Sequence, residues 1–242
     1  VKALVLKEYN KFSYEEVPMP EIGPEDVLIR VKACGICGSD VHGMDGSTGR
    51  RIPPIIMGHE ASGIIEKTGS GITEWKAGER VTFDSTVVTR QDFYSQKGTF
   101  NLSDYRKVLG VSCGEYRQHG AFAEYVAVPQ SILYRLPESL SFEQAAMTEP
   151  VSVAFHAANL VSGEINDSAV VVGCGMIGLF VIQALRVKGC GRIIAIDLDP
   201  SRLDMALKFG ADNALKSDEG DTIEKVRNLT HGRGADMAFE VV

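Results

Sequence analysis

The stretch Ser168-Ala169-Val170-Val171-Val172-Gly173-Cys174-Gly175-Met176-Ile177-Gly178 decides the fold of the second part of the chain. An apolar run of strand length leads into G-x-G-x-x-G, and Ile177–Lys188 follows with apolar residues at helical spacing. Gly173 permits the tight turn, Gly175 lets a pyrophosphate approach the backbone, and Gly178 lets helix and strand pack closely. Met176 and Ile177 open the helix, whose free amides and positive dipole end meet the phosphate charge. Asp197 ends the next apolar strand about 20 residues on, where a carboxylate accepts adenosine ribose hydroxyls and repels a 2′-phosphate. The reading therefore favours NAD over NADP, with Arg202 placed to reach the same ribose or a phosphate. The alternative is a glycine turn that binds nothing, with Asp197 as a helix cap.

Toward the C-terminus the chain keeps alternating. Arg192–Ile196 reads as a strand, Pro200–Phe209 as a helix, Asp212–Leu215 as a short strand, Thr222–Leu229 as a helix and Asp236–Val242 as a further strand. Strands and helices joined by short connections mean a parallel sheet with helices on both faces. A doubly wound domain has two mononucleotide-binding halves, and residues up to 242 supply only the first. The expectation is that the sheet continues in a longer chain or that a partner covers its last apolar strand. The charge-free run Ser168–Leu185 is long enough to raise a membrane span, but its three glycines suit a buried strand–turn–helix better.

Toward the N-terminus the texture is different. Lys2–Leu6, Val27–Ala33, Ala61–Lys67, Arg80–Phe83 and Ala123–Val128 read as short strands, with turns at Pro-Met-Pro, Gly-Pro-Glu and Gly-Ser-Gly. That pattern predicts an all-β, barrel-like domain. Ser141-Phe142-Glu143-Gln144 has the form of a capping box and predicts a helix carrying Ala145, Ala146 and Met147, with Pro150 starting or bending the next segment. The boundary falls there, giving domains of 1–150 and 151–242.

The chain has 242 residues, 44% hydrophobic and 24% charged, which fits a globular protein with ample core and argues against disorder. A net charge of −7 gives no support to nucleic-acid or anionic-membrane binding. Five cysteines, Cys34, Cys37, Cys113, Cys174 and Cys190, are odd in number and unevenly spaced, which points to a reducing compartment and a cytoplasmic protein.

Three fragments carry potential metal ligands: Cys37 in Cys34-Gly35-Ile36-Cys37-Gly38-Ser39-Asp40-Val41-His42, His59 and Glu60 in Gly58-His59-Glu60, and Glu149 in Thr148-Glu149-Pro150. Catalytic zinc takes three protein ligands from S, N and O donors and keeps one position open. A thiolate, an imidazole and a carboxylate suit zinc better than magnesium. Cys34-x-x-Cys37 could alternatively be a redox pair, although no thioredoxin-like βαβ pattern adjoins it. His119, His156 and His231 read as surface or packed residues, Cys174 and Cys190 as small packing residues, and Asp40 as a cap or turn residue.

Taken in order, Cys37-Gly38-Ser39-Asp40-x-His42, Gly58-His59-Glu60-x-x-Gly63, Glu149-Pro150 and the glycine motif resemble the zinc-dependent medium-chain alcohol dehydrogenase family. The glutamates make the chain most similar to the sorbitol (polyol) and threonine dehydrogenase branch. The resemblance implies a GroES-like, β-rich catalytic domain followed by a Rossmann domain, with the active site in the cleft between them. It implies that Cys37, His59 and Glu60 bind one catalytic zinc, with Glu149 bound directly or through water. It makes Ser39 and His42 a proton relay and a secondary alcohol, a polyol or sugar alcohol, the substrate of an NAD-dependent dehydrogenase. Threonine or butanediol dehydrogenase activity is the alternative within the family, and a noncatalytic zinc- and NAD-binding protein the alternative outside it. A homo-oligomer, dimer or tetramer, is expected. Many relatives carry a structural zinc on four cysteines in a lobe; the matching positions here are Thr89, Asp92, Ser95 and Ser103. With no thiolate left, the expectation is no structural zinc and a lobe held by packing or by a neighbouring subunit.

Overall fold

The computed structural model describes residues 1–112 and 117–242, so Cys113 lies outside the described residues. The chain forms two compact units, Val1–Glu149 and Pro150–Val242.

The first unit is built on strands β1 (Lys2–Glu8), β2 (Lys11–Glu16), β3 (Asp26–Gly35), β4 (Ile55–Ile56), β5 (Glu60–Thr68), β6 (Arg80–Phe83), β7 (Thr86–Val88), β8 (Arg106–Leu109), β9 (Arg117–Gln118), β10 (Tyr125–Pro129) and β11 (Leu133–Arg135). A five-stranded antiparallel sheet in the order β10-β3-β5-β6-β11 forms its centre, flanked by three-stranded sheets β2-β1-β4 and β7-β8-β9. Val27, Ile29, Ile65, Val81 and Leu109 are fully buried in the common core. Val27 and Ile29 lie at alternate positions of β3, which is how a strand delivers one face to a core. Helix α1 (Gly38–Gly43) follows β3 directly. Helix α2 (Phe93–Gln96) belongs to the lobe, and α3 (Phe142–Ala146) ends the unit. The capping box at Ser141 is formed: Gln144 N–H donates to Ser141 Oγ at 3.1 Å, and Ser141 N–H to Gln144 Oε1 at 3.0 Å. Met147 caps this helix instead of extending it, and the next helix, α4 (Thr148–Leu160), starts before Pro150.

The lobe between β7 and β8 carries a cluster of hydrogen bonds centred on Asp92. Asp92 caps α2 through Ser95 N–H at 2.8 Å, while its second carboxylate oxygen accepts from Ser103 Oγ at 3.0 Å and from Asp104 N–H at 2.9 Å. Thr89 joins through its backbone N–H and hydroxyl, both donated to Tyr105 O. Three of the four positions without a cysteine thus converge on one carboxylate. This hydrogen-bonded hub helps tie the lobe together.

The second unit contains β12 (Ser168–Val172), α5 (Met176–Val187), β13 (Arg192–Asp197), α6 (Pro200–Lys208), β14 (Asn213–Lys216), α7 (Thr222–Leu229) and β15 (Met237–Glu240). All strand pairs are parallel, in the order β14-β13-β12-β15. Alternation along the strands separates two apolar faces. Ala169, Val171, Ile193 and Ala195 face Ala154, Val181, Leu185 and Leu203 of the helices on one side. Val170, Ile194 and Ile196 face Val226 and Leu229 of α7 on the other. The run Ser168–Leu185 is therefore a buried strand and helix; no helix among the described residues is long and apolar enough to cross a membrane.

Candidate metal centre and nucleotide cradle

The metal-ligand candidates meet where β3 runs out against the start of β5. Register pairs Gly35 with Glu60. A Cβ at position 35 would lie 2.2 Å from Glu60 Oε2, so the glycine leaves the space that the Glu60 carboxylate fills. Cys37 is the N-cap of α1, accepting from Ser39 N–H at 3.5 Å. His59 precedes Glu60 at the strand start, and Gly58 before it adopts a left-handed φ of 91°. Cys37, His59 and Glu60 each offer a ligand atom, and these atoms lie within 4.8 Å of one another. His59 Nδ1 and Glu60 Oε1 are buried with no hydrogen-bond partner. Buried polar atoms are seldom left unpaired, and a cation held among them would remove that deficit. The donor set of S, N and O with buried, orphaned atoms fits zinc.

Asp40 supports the trio. Its carboxylate accepts from Cys37 N–H at 3.2 Å and from Arg51 Nη2 at 3.1 Å, and it faces His59 Nδ1 at 3.6 Å, just beyond hydrogen-bond reach. The residue is 2% exposed, as is Arg51. Asp40 thus caps α1 and sets a buried carboxylate close beside His59. Burial pushes the Cys37 thiol and the Glu60 carboxyl up, and a divalent cation would reverse that direction. Burial, with the charges of Glu60, Asp84 and Asp40, pushes the Glu149 carboxyl up to about 7. Burial likewise pushes the Cys34 thiol up to about 12, and Cys34 and Cys37 are both free thiols. A thiol held so firmly protonated is a poor redox nucleophile.

Glu149, on the first turn of α4, stands outside the close trio but lines a cavity of about 650 Å³ together with His59 and Ser39. Ser39 Oγ accepts from Arg51 Nη2 at 3.2 Å. His42 lies on the same short helix, exposed, and is not among the cavity's lining residues. The arginines of the cavity wall, Arg50, Arg51 and Arg106, carry no spacing signal in the sequence and emerge only from the fold.

In the second unit Gly173 and Gly178 take the turn and close-packing roles that their positions predict. Gly173 has a φ of 94°, and a Cβ there would crowd Val241 O at 2.9 Å. A Cβ on Gly178 would stand 1.9 Å from Gly173 O. A Cβ on Gly175, the N-cap of α5, would meet nothing within 4 Å. Open space above unfastened helix amides is the kind of cradle that suits a pyrophosphate. Met176 is exposed and Ile177 half-buried behind it. Asp197 accepts from Cys174 N–H at 2.7 Å and from Asp199 N–H at 2.9 Å, so its buried carboxylate holds the glycine loop in shape. The Arg202 guanidinium is exposed, 3.9 Å from Asp197 Oδ2.

Comparison with known proteins fixes the class. Residues 23–138 match the family model of the alcohol dehydrogenase GroES-like domain, and residues 177–242 that of zinc-binding dehydrogenases. Sorbitol dehydrogenase of Bacillus subtilis is 35% identical over 243 residues, covering 99% of this chain and 68% of its own. (R,R)-Butanediol dehydrogenase of the same organism is 37% identical over 238 residues, covering 94% of this chain and 66% of its own. The solved structure of alcohol dehydrogenase TADH from Thermus sp. ATN1 superposes with a TM-score of 0.93 at 31% identity, covering 100% of this chain and 70% of that one. The chain belongs to the zinc-dependent medium-chain alcohol dehydrogenase family, oxidoreductases that use zinc and a nicotinamide cofactor. It is similar along nearly its whole length to polyol and diol dehydrogenases and spans about two thirds of theirs.

Proposed function

We propose that this protein oxidises a secondary alcohol of the polyol or sugar-alcohol class with NAD. The observation that carries the reading is the convergence of Cys37, His59 and Glu60 to within 4.8 Å, with two of their atoms buried and unpartnered. These three residues would hold the zinc, with Glu149 beside them. When bound, zinc acidifies an alcohol hydroxyl and the nicotinamide ring accepts the carbinol hydrogen as hydride. The chain's own residues do the rest. Asp40 sets its carboxylate beside His59, and the cavity wall around Ser39 and Glu149 presents a hydroxyl and a carboxyl through which the alcohol proton leaves. His42 then passes it to solvent from its exposed position on α1. Gly175 admits the pyrophosphate to the amides of α5, and Asp197 turns its remaining lone pairs to the ribose, which favours NAD. The reducing cytoplasm suits the free thiols Cys34, Cys37, Cys174 and Cys190, and a homo-oligomer is part of the same reading.

Elemental analysis of dialysed protein tests the metal, and NADH production over sorbitol, xylitol, butanediol and threonine tests the reaction. The expected result is about one zinc per chain, the number one three-ligand site accommodates, with fastest turnover on a polyol. Faster turnover on threonine or butanediol overturns the polyol class. Zinc binding and NAD binding without NADH from any alcohol overturn the dehydrogenase reading.

A further inference from the structure

Arg51 is a buried guanidinium at the wall of the cavity that it shares with Ser39, His59 and Glu149. Such a charge is costly below the surface unless it is paired and hydrogen-bonded. Two devices keep it there. Ser112, itself 3% exposed, straddles the position. Its N–H donates to Arg50 O at 3.0 Å, while its hydroxyl accepts from Ile52 N–H and donates to Ile52 O at 2.9 Å. The residues on either side of Arg51 are thus fixed to one serine. Gly43 of α1 is the second device, for a Cβ there would lie 2.5 Å from Arg51 Cγ, in the path of the side-chain stem. Ser39 and Asp40 precede Gly43 by four and three residues, so all three lie on the face of α1 that meets Arg51.

The head group is used twice. Arg51 Nη2 donates to Asp40 Oδ1 at 3.1 Å and to Ser39 Oγ at 3.2 Å. The bond to Asp40 pairs the charge, and the bond to Ser39 does something else. A serine hydroxyl has two lone pairs and one hydrogen, and Arg51 occupies one lone pair. One lone pair and the hydrogen are left, an entry and an exit for a proton. Guanidinium accepts no proton and keeps its own near neutral pH, so it fixes the oxygen without becoming a branch of the path. Burial raises the Cys37 thiol and the Ser39 hydroxyl works against that rise, which puts the hydroxyl beside the ligand trio.

We propose that Arg51 is a positioning residue for alcohol oxidation, holding Ser39 Oγ at the cavity wall with one lone pair and its hydrogen left to carry the departing proton. The alcohol hydroxyl proton enters on that lone pair as the Ser39 hydrogen leaves toward solvent, so the serine ends neutral. The carbinol hydrogen leaves with its electron pair to NAD, giving a carbonyl compound, NADH and one proton in solvent. Arg51 acts through Ser39. This rests on the dehydrogenase reading above and adds a residue to it.

The test is a double-mutant cycle between Arg51 and Ser39 in zinc-loaded protein, with amide exchange as a second readout. Arg51→Lys keeps a positive charge against Asp40, so the buried carboxylate is not stranded. Gly43→Ala presses on the Arg51 stem and leaves both bonded groups in the sequence. Each variant lowers kcat about tenfold, the size of a hydrogen bond to a charged group, while KM and NAD affinity stay within about twofold. In Ser39→Ala protein, adding Arg51→Lys lowers kcat less than about twofold, because the residue it acts through is gone. Amide exchange across residues 37–43 rises about tenfold in both single variants. A kcat that neither variant lowers, or a loss of the same size with and without Ser39, overturns the proposal. Exchange across 37–43 that neither variant changes also overturns it. Failure of the unaltered protein to make NADH from any alcohol sinks the dehydrogenase reading instead, and the exchange result then decides by itself whether Arg51 holds Ser39 and its helix.

Discussion

Asp92 accepts three hydrogen bonds, from Ser95 N–H, Ser103 Oγ and Asp104 N–H, and these hold its carboxyl down to about 2, the Ser95 amide most strongly. Its ordinary value is 3.8. A depressed carboxyl stabilises the folded lobe fully above its unfolded pKa, and the contribution fades as pH falls through the folded one. Amide exchange across residues 86–109 is therefore expected to accelerate, relative to the intrinsic rate, as pH falls from about 4 toward 2. Asp92→Asn should raise exchange in the lobe about tenfold at neutral pH and flatten that acid dependence. Sequence alone shows that Thr89, Asp92, Ser95 and Ser103 cannot form a thiolate site; that Ser95 and Ser103 bond to Asp92 depends on backbone geometry no spacing encodes. The wall arginines escape a sequence reading for the same reason. Arg50 and Arg51 sit in a polar loop and Arg106 in another segment, so each in isolation looks like a solvated charge.

At the scale of elements the glycine loop separates two kinds of glycine that share one motif. Gly178 is required by close packing, since a Cβ would stand 1.9 Å from backbone, whereas Gly175 faces open space. Gly178→Ala should cost about 1–3 kcal/mol of stability, in the range of overpacking changes. Gly175→Ala should cost about 1 kcal/mol or less, since only a helix cap changes, yet weaken NAD binding at least about tenfold by filling the phosphate space. Thermal unfolding and NAD titration of the two variants check both arms. Some elements were legible in full: Arg80–Phe83 in the first unit and Thr222–Leu229 in the second coincide with their predicted bounds, because turn residues flank a clear apolar period. Less legible were ends set by tertiary pairing. Pairing with β12 stops β15 at Glu240, and the strand predicted from Ala123 begins at Tyr125, where pairing with Arg30 starts.

Across the whole molecule the two candidate sites are lodged in separate units. The ligand trio lies within Val1–Glu149 and the nucleotide cradle within Pro150–Val242. Chelation is expected to remove zinc and alcohol oxidation while NAD affinity, read by fluorescence titration, and far-UV circular dichroism stay near their starting values. Loss of helix and strand signal on chelation would show that the metal holds the fold as well as the chemistry. The order of the motifs along the chain was enough to expect both units, since each motif carries its own local fold.

The lobe built on Asp92 also changes how the protein meets oxidants. Thiolates clustered around a metal release it when peroxide attacks them, and the surrounding chain loosens with it. A carboxylate that accepts hydrogen bonds has no such chemistry. Within the ligand trio the oxidisable atom is Cys37 Sγ. Oxidative damage at the metal would thus silence the site while leaving the lobe in place, and a thiol reductant could restore an early-stage lesion without any refolding.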